Sequence, residues 1–272
     1  MSDVVLTEDE ERVKSVLLKQ KHHKSMSFID VIFLAKNLMK NVTDIWISGN
    51  SCQKENCCNI LRCFPNLESI SFGYTNLTDS IIASMVEKMR NLKCLQIEHF
   101  NRDITGELLA SIPSQFECLH IHTQSLNVDV LLRLPHSPAL RKFYFKKYGD
   151  AKIDCHELAT FLNEKVRNLS ELTIQGNLTN FDFLTTISSL ALQTLRLWYS
   201  EVHDFSLETK LTKIELLKLE YVVDIDDKFI SKFVDVKTLY FAADILDLQM
   251  LSNVELPKLC KLELVGAVDK RY

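Results

Sequence analysis

Cys94, Cys118, His120 and His122, with His99 nearby, are the residues of this chain best suited by type to do chemistry. Two thiolates and two imidazoles are the ligand types of a tetrahedral zinc site. A cysteine beside a histidine is also the minimal thiol nucleophile. Their spacing favours neither use. The chain's eight cysteines contain no C-x-x-C pair, so a zinc ribbon and a redox motif are both unsupported. Nor does the sequence hold G-x-x-x-x-G-K, G-x-G-x-x-G, G-x-S-x-G or H-E-x-x-H, the motifs of phosphate, dinucleotide, acyl and zinc-hydrolase chemistry. The expectation is a protein with no catalysis, cofactor or metal of its own. The alternative is a metal-binding protein or thiol enzyme built on Cys94, Cys118, His120 and His122.

The elements that would carry these residues follow from one repeated pattern. An apolar residue, two others, an apolar residue, one other and a third apolar residue recur ten times. The copies are Val42-Ile45-Ile47, Leu67-Ile70-Phe72, Leu92-Leu95-Ile97, Phe116-Leu119-Ile121, Leu140-Phe143-Phe145, Leu169-Leu172-Ile174, Leu192-Leu195-Leu197, Ile214-Leu217-Leu219, Val236-Leu239-Phe241 and Leu259-Leu262-Leu264. Successive copies begin 25, 25, 24, 24, 29, 23, 22, 22 and 23 residues apart. A period in the twenties headed by L-x-x-L-x-L implies one strand per repeat, with the rest of each repeat returning to the next strand. Positions one, four and six face a core, while positions three, five and seven alternate outward.

Several returns read as helices. Thr78 or Asp79 can cap a helix with Ile81, Ile82, Met85, Val86 and Met89 on one face. Asp154 and Glu157 have capping-box spacing ahead of Leu158, Phe161 and Leu162, and Asp224 to Asp227 precede Phe229, Ile230 and Phe233. The expected architecture is α/β: a solenoid of about ten repeats, with a parallel inner sheet and short outer helices, over residues 41–272. Residues 1–40 read as a helical N-terminal cap, with Thr7 and Glu10 at capping spacing before Val13, Val16 and Leu17.

Composition agrees. Apolar residues make up 46% and charged residues 25% of the chain, as in ordinary globular proteins. The net charge of −4 argues against nucleic acid as the partner, which calls for a basic footprint. The opening MSDVVLTEDEERVKS is acidic where a signal peptide needs a basic start and an apolar run. That places the protein in the cytoplasm or nucleus, away from the membrane, with its cysteines reduced.

The repeats resemble the leucine-rich repeat superfamily. The stretch FPNLESISFGYTNLTDSIIASMVEKMRNLKCLQI, with its Leu77-Thr78-Asp79 step, is most similar to the cysteine-containing repeats of F-box substrate receptors. The superfamily's ladder asparagine at position nine survives only at Asn50 and Asn177. No F-box is recognisable in residues 1–40, which lack its L-P-x-E pattern and terminal tryptophan. The resemblance implies a horseshoe that recognises a protein on its concave strand face. It also raises a second expectation: a substrate receptor of a cullin-type ubiquitin ligase, with the ligase's adaptor as a further partner, whose F-box is diverged or missing.

Register alone names that face. Positions five and seven of the fifth to ninth repeats supply Tyr144, Lys146, Arg196, Trp198, Lys218 and Tyr240, with Tyr199 and Tyr221 one position further on. Trp, Tyr and Arg are the residue types richest in interface hot spots, so these eight form the expected partner-binding site. The basic run Arg141, Lys142, Lys146 and Lys147 suggests an acidic or phosphorylated protein partner.

Overall fold

A computed structural model describes residues 4–6, 15–18, 42–48, 64–73, 77–98, 107–123, 128–148, 152–178, 180–181, 183–187, 191–199, 210–223, 225–246 and 251–268. The chain divides into two compact units, Met1–Leu126 with Arg133–Ser137 and Asn127–Leu132 with Pro138–Tyr272.

In the first unit the described strands are β1 (Val4–Leu6), β2 (Ser15–Leu18), β3 (Asp44–Ser48), β4 (Ser69–Gly73), β5 (Cys94–Glu98) and β6 (Cys118–Thr123). β1 and β2 are antiparallel, and β2 through β6 pair in parallel. The helices are α1 (Asp79–Val86) and α2 (Glu107–Ser111). The described strands of the second unit are β7 (Lys142–Lys147), β8 (Glu171–Gln175), β9 (Thr194–Trp198), β10 (Leu216–Glu220), β11 (Thr238–Leu246) and β12 (Lys261–Val268). All neighbours among them are parallel. Its returns include α3 (Cys155–Lys165), α4 (Phe183–Ile187) and α5 (Asp227–Ile230). The protein is therefore α/β, with repeated parallel strands and short helices.

Each of the ten triplets forms a strand, and pairing is in register by repeat position. Leu172 pairs with Leu195, Leu195 with Leu217, Leu217 with Leu239 and Leu239 with Leu262. Within each unit one hydrogen-bond arrangement recurs between neighbours. The carbonyl at position two accepts the N–H groups of positions two and three of the next repeat, at 2.7–3.1 Å. Glu68 O, for example, takes Lys93 N and Cys94 N, and Gln193 O takes Glu215 N and Leu216 N. Register at each strand's entry is thereby fixed before the side chains meet.

The triplet residues then fill the core. Leu169, Leu172, Ile174, Leu195, Leu197, Leu217 and Leu219 are all wholly buried. β12 shows what a strand loses with a neighbour on one side only: Leu262 and Leu264 occupy the same positions but are 47% and 37% exposed. Among the described residues no helix is long and apolar enough to cross a membrane.

The capping expectations hold in part. The Asp154 carboxylate accepts the N–H groups of His156 and Glu157 at 2.9 and 3.1 Å, and Asp226 accepts Phe229 N–H at 2.8 Å. Glu157 does not close a capping box; its carboxylate accepts the Asp129 N–H instead. Thr78 stands at the α1 N-cap without a side-chain bond to the helix, its hydroxyl turned to Ser80 Oγ at 3.1 Å. The helix expected over Val13, Val16 and Leu17 is corrected: Ser15–Leu18 is strand β2, aligned on β3 with Val16 beside Ile45. Pairing with an existing edge overrides a local helical spacing that has no packed face to support it. Val4–Leu6, also within that expected cap, is strand β1, and the rest of residues 1–40 lies outside the described residues.

Leu195 lies fully buried between in-register leucines on both sides. Leu195→Ala is expected to cost about 2–5 kcal/mol in chemical denaturation. Hydrogen exchange should also quicken in β8 and β10, because each strand is held by its neighbours.

Candidate functional site

The outward positions of the second unit form two rows across adjacent strands. One runs Tyr144, Thr173, Arg196, Lys218, Tyr240 and Glu263; the other runs Lys146, Gln175, Trp198, Glu220, Ala242 and Val265. All eight expected site residues therefore belong to one unit. Six stand in these rows, and Tyr199 and Tyr221 follow the second row by one position.

The aromatic side chains stack on one another. Trp198 and Tyr199 lie 5.7 Å apart with planes 19° from parallel, and Tyr199 and Tyr221 lie 4.9 Å apart at 11°. Lys146 Nζ sits 5.0 Å from the Trp198 ring centroid and 4.5 Å from that of Tyr148. A column of rings and one ammonium thus links β7, β9 and β10. Beside it Lys218 Nζ lies 5.3 Å from the Tyr240 ring, Arg196 Nε is 3.6 Å from Glu220 Oε1, and Tyr144 hydroxyl is 3.4 Å from Gln175 Oε1. Tyr199 remains half exposed.

This arrangement has a backbone cost. Position eight has positive φ in four repeats, at Gly176 (136°), Tyr199 (47°), Tyr221 (53°) and Gly266 (149°). At three of these the position-eight N–H donates to the position-seven carbonyl of the next repeat. Gly176 N–H reaches Trp198 O at 3.3 Å, Tyr199 N–H reaches Glu220 O at 2.9 Å and Tyr221 N–H reaches Ala242 O at 2.7 Å. Glycine meets that demand without strain. At Gly176 a Cβ would stand 3.0 Å from Lys147 O. A tyrosine in the left-handed region costs roughly 1–2 kcal/mol, while an aromatic pair returns only about 0.5–1.5 kcal/mol. Stacking therefore roughly offsets the strain and leaves little net stability from keeping two tyrosines there.

No family model matches the chain, and no curated protein matches it. The reading of the face rests on its own geometry.

The basic run does not form a patch. Arg141 donates to Pro138 O and Asn168 O at 3.3 and 3.0 Å, fastening neighbouring repeats. Lys142 pairs with Glu171 at 2.8 Å. Lys147 is buried, with Nζ donating to Lys152 O at 3.1 Å. Of the four, only Lys146 joins the aromatic column. Strand alternation explains the dispersal, since consecutive basic residues point to opposite faces.

The cysteines and histidines lie in the first unit. Cys94 is directly in register with Cys118, and His120 with Gln96 rather than with another candidate ligand. His122 follows at position seven of β6, and His99 lies outside the described residues. Among the described residues no three or more His, Cys, Asp or Glu side chains are grouped to hold a metal ion.

Sequence reasoning passed over Tyr148, and counted Glu220 on the outward face without naming it as a site residue. Tyr148 shares strand parity with Lys146, which is the signal that pairs them. Glu220 stands at position seven beside Trp198 in register, opposite in charge to its neighbour Arg196. An open cavity of about 800 Å3, lined by Lys210, Asp227, Lys228, Lys232 and Glu255 among others, contains none of the face residues.

Burial lowers the Lys147 pKa, with partial compensation from the Glu157 and Asp129 carboxylates. The unfolded chain then binds a proton more tightly than the folded one. This lysine's penalty is full at low pH and is relieved as pH rises from the depressed folded value towards the ordinary lysine range. Lys147→Met should raise stability by about 1 kcal/mol at neutral pH, as apolar replacement of buried charge commonly does. The gain should shrink with rising alkalinity, measured as the wild-type-minus-variant difference in urea midpoints between neutral pH and pH about 10.

Proposed function

We propose that this chain is a leucine-rich repeat array that recognises a protein partner, without catalysis of its own, through the outward strand face of its second unit. The observation that carries the reading is the strained aromatic column at Trp198, Tyr199 and Tyr221. Left-handed backbone at a bulky residue is uncommon, and such strain gathers at binding and catalytic sites. Here it holds a half-exposed tyrosine ring between two other rings, Trp198 and Tyr221. Preorganised aromatics with polar edges suit hot spots because little side-chain entropy remains to be lost on docking.

The charges beside the column favour an acidic partner segment. Arg196 is largely matched by Glu220, and Glu263 is held ionised by Lys261, which lowers its pKa. Lys146 and Lys218 rest against rings, where each keeps its charge on the solvent-facing side of the sheet. Lys146 on β7 and Lys218 on β10 stand three strands apart, so each would meet a separate carboxylate or phosphate of an extended partner segment. The second reading, a substrate receptor of a cullin-type ligase, is supported by the cysteine-type repeat around Leu77-Thr78-Asp79. It puts the same face to work on a substrate and adds a docking contact to the ligase adaptor.

Affinity capture with wild-type and Tyr199→Ala chains, read by quantitative mass spectrometry, tests the proposal. The partner's affinity should fall by about 2 kcal/mol, or roughly thirtyfold. The fold itself should lose only the stacking contribution, about 0.5–1.5 kcal/mol per aromatic pair, because alanine keeps the left-handed backbone. Tyr199→Gly, which relieves that strain, should weaken binding equally with a smaller change in melting temperature. Lys146→Glu should slow association and weaken its salt dependence. A partner whose binding ignores Tyr199, Tyr240 and Lys146 removes this face from consideration. Recovery of a cullin adaptor with the wild-type chain would favour the receptor reading.

A further inference from the structure

The first unit carries a pair of thiols that packing does not require. Cys94 opens β5 and Cys118 opens β6, and the two are register partners on adjacent parallel strands. Both occupy position three, on the outward side, in line with Ser69 on β4. Both are reduced and partly exposed. Reduced cysteine usually serves as a small buried hydrophobe, as Cys155 does in the second unit with its thiol donating to Asn180 O at 2.8 Å. Two side-by-side thiols within reach of solvent are a different arrangement.

We infer that Cys94 and Cys118 form a reversible oxidation site that takes a peroxide and closes to a disulfide between adjacent repeats. Parallel neighbours lie about 4.7–4.9 Å apart, inside the Cα separation of about 4.4–6.8 Å that a disulfide spans but towards its short end. The backbone on both sides is anchored: Cys94 N–H donates to Glu68 O at 2.9 Å and Cys118 N–H to Lys93 O at 3.0 Å. The two Cα atoms therefore cannot shift to relax the bond. In-register side chains project in parallel, so their Cβ atoms also stand about 4.7–4.9 Å apart, beyond the roughly 3.5–4.5 Å that a relaxed disulfide takes. A bond drawn across that gap is strained, and strained disulfides are the readily reduced, labile ones.

The chemistry closes without further components. One thiolate attacks a peroxide oxygen, the O–O bond breaks, and water leaves once the second oxygen is protonated. The sulfenic acid formed condenses with the second thiol, and a second water leaves as the S–S bond forms. The peroxide is reduced and two thiols are oxidised by two electrons. A monothiol such as glutathione reverses it through a mixed disulfide.

The test treats the dilute full-length chain with hydrogen peroxide, blocks remaining thiols and maps tryptic peptides by mass spectrometry. The expected product is an intramolecular Cys94–Cys118 cross-link that forms before any other and disappears with millimolar glutathione. Cys94→Ser, a substitution on the outward side of the strand, should abolish the cross-link and leave Cys118 as a sulfenic acid trapped by dimedone. Recovery of Cys94 and Cys118 as separately alkylated peptides, or their bonding to Cys260 or another cysteine instead, overturns the inference. So does a cross-link that resists glutathione and yields only to a strong dithiol.

Discussion

Within each unit, the hydrogen bonds that tie one repeat to the next constrain everything else. A position-two carbonyl takes two N–H groups from the following repeat, and the strand ladder continues from there in register. Because the anchor recurs at the same position, insertions must be absorbed in the returns and not in the strands. The step of 29 residues that begins at Leu140 leaves the pairing of β7 with β8 as regular as that of β9 with β10. Apolar burial supplies most of the stability, at about 1.5–3 kcal/mol for each fully buried leucine. That burial depends on the ladder bringing like positions together.

The same ladder explains the character of the candidate face. Among the described residues, position eight takes positive φ at two glycines and two tyrosines, Gly176, Tyr199, Tyr221 and Gly266, while Lys147 and Ala243 hold the same position without it. Tyrosine there is close to neutral for stability, so its presence is better explained by what its ring presents than by what it holds together. Rows of outward residues are rigid for a related reason. Trp198 cannot shift along its strand without breaking the register of Leu195 and Leu197 in the core. Lys146 and Trp198, two strands apart, are therefore held at cation–π distance.

Much of this was legible in the sequence, and the limits have physical causes. The triplets revealed every strand from β3 to β12 because a parallel strand buried by its neighbours has a clear apolar period. Position counting also named the outward rows correctly, from Tyr144 through Tyr240. Three features escaped. β2 was hidden because Val13, Val16 and Leu17 match a helical spacing, and pairing with β1 and β3 makes Ser15–Leu18 extended. The dispersal of Arg141, Lys142, Lys146 and Lys147 required knowing which carbonyls and rings lay within reach. The positive φ at Tyr199 and Tyr221 left no trace, since the usual signal is glycine or asparagine and neither occurs there. Lys147 marks the same boundary: its burial follows from the return through Lys152 and Ile153, which no strand pattern describes.

In-register stacking of the core positions is the central claim, and methyl NMR tests it most directly. In protein labelled only at leucine methyls, Leu172, Leu195, Leu217 and Leu239 should form an unbroken chain of strong cross-strand NOEs. Each should be stronger to the position-four leucine of the next strand than to the position-six leucine beside it. Strong NOEs from Leu195 to Leu219 in place of Leu217, or a break in the chain between β8 and β11, would contradict the register from which the outward face and its aromatic column are built.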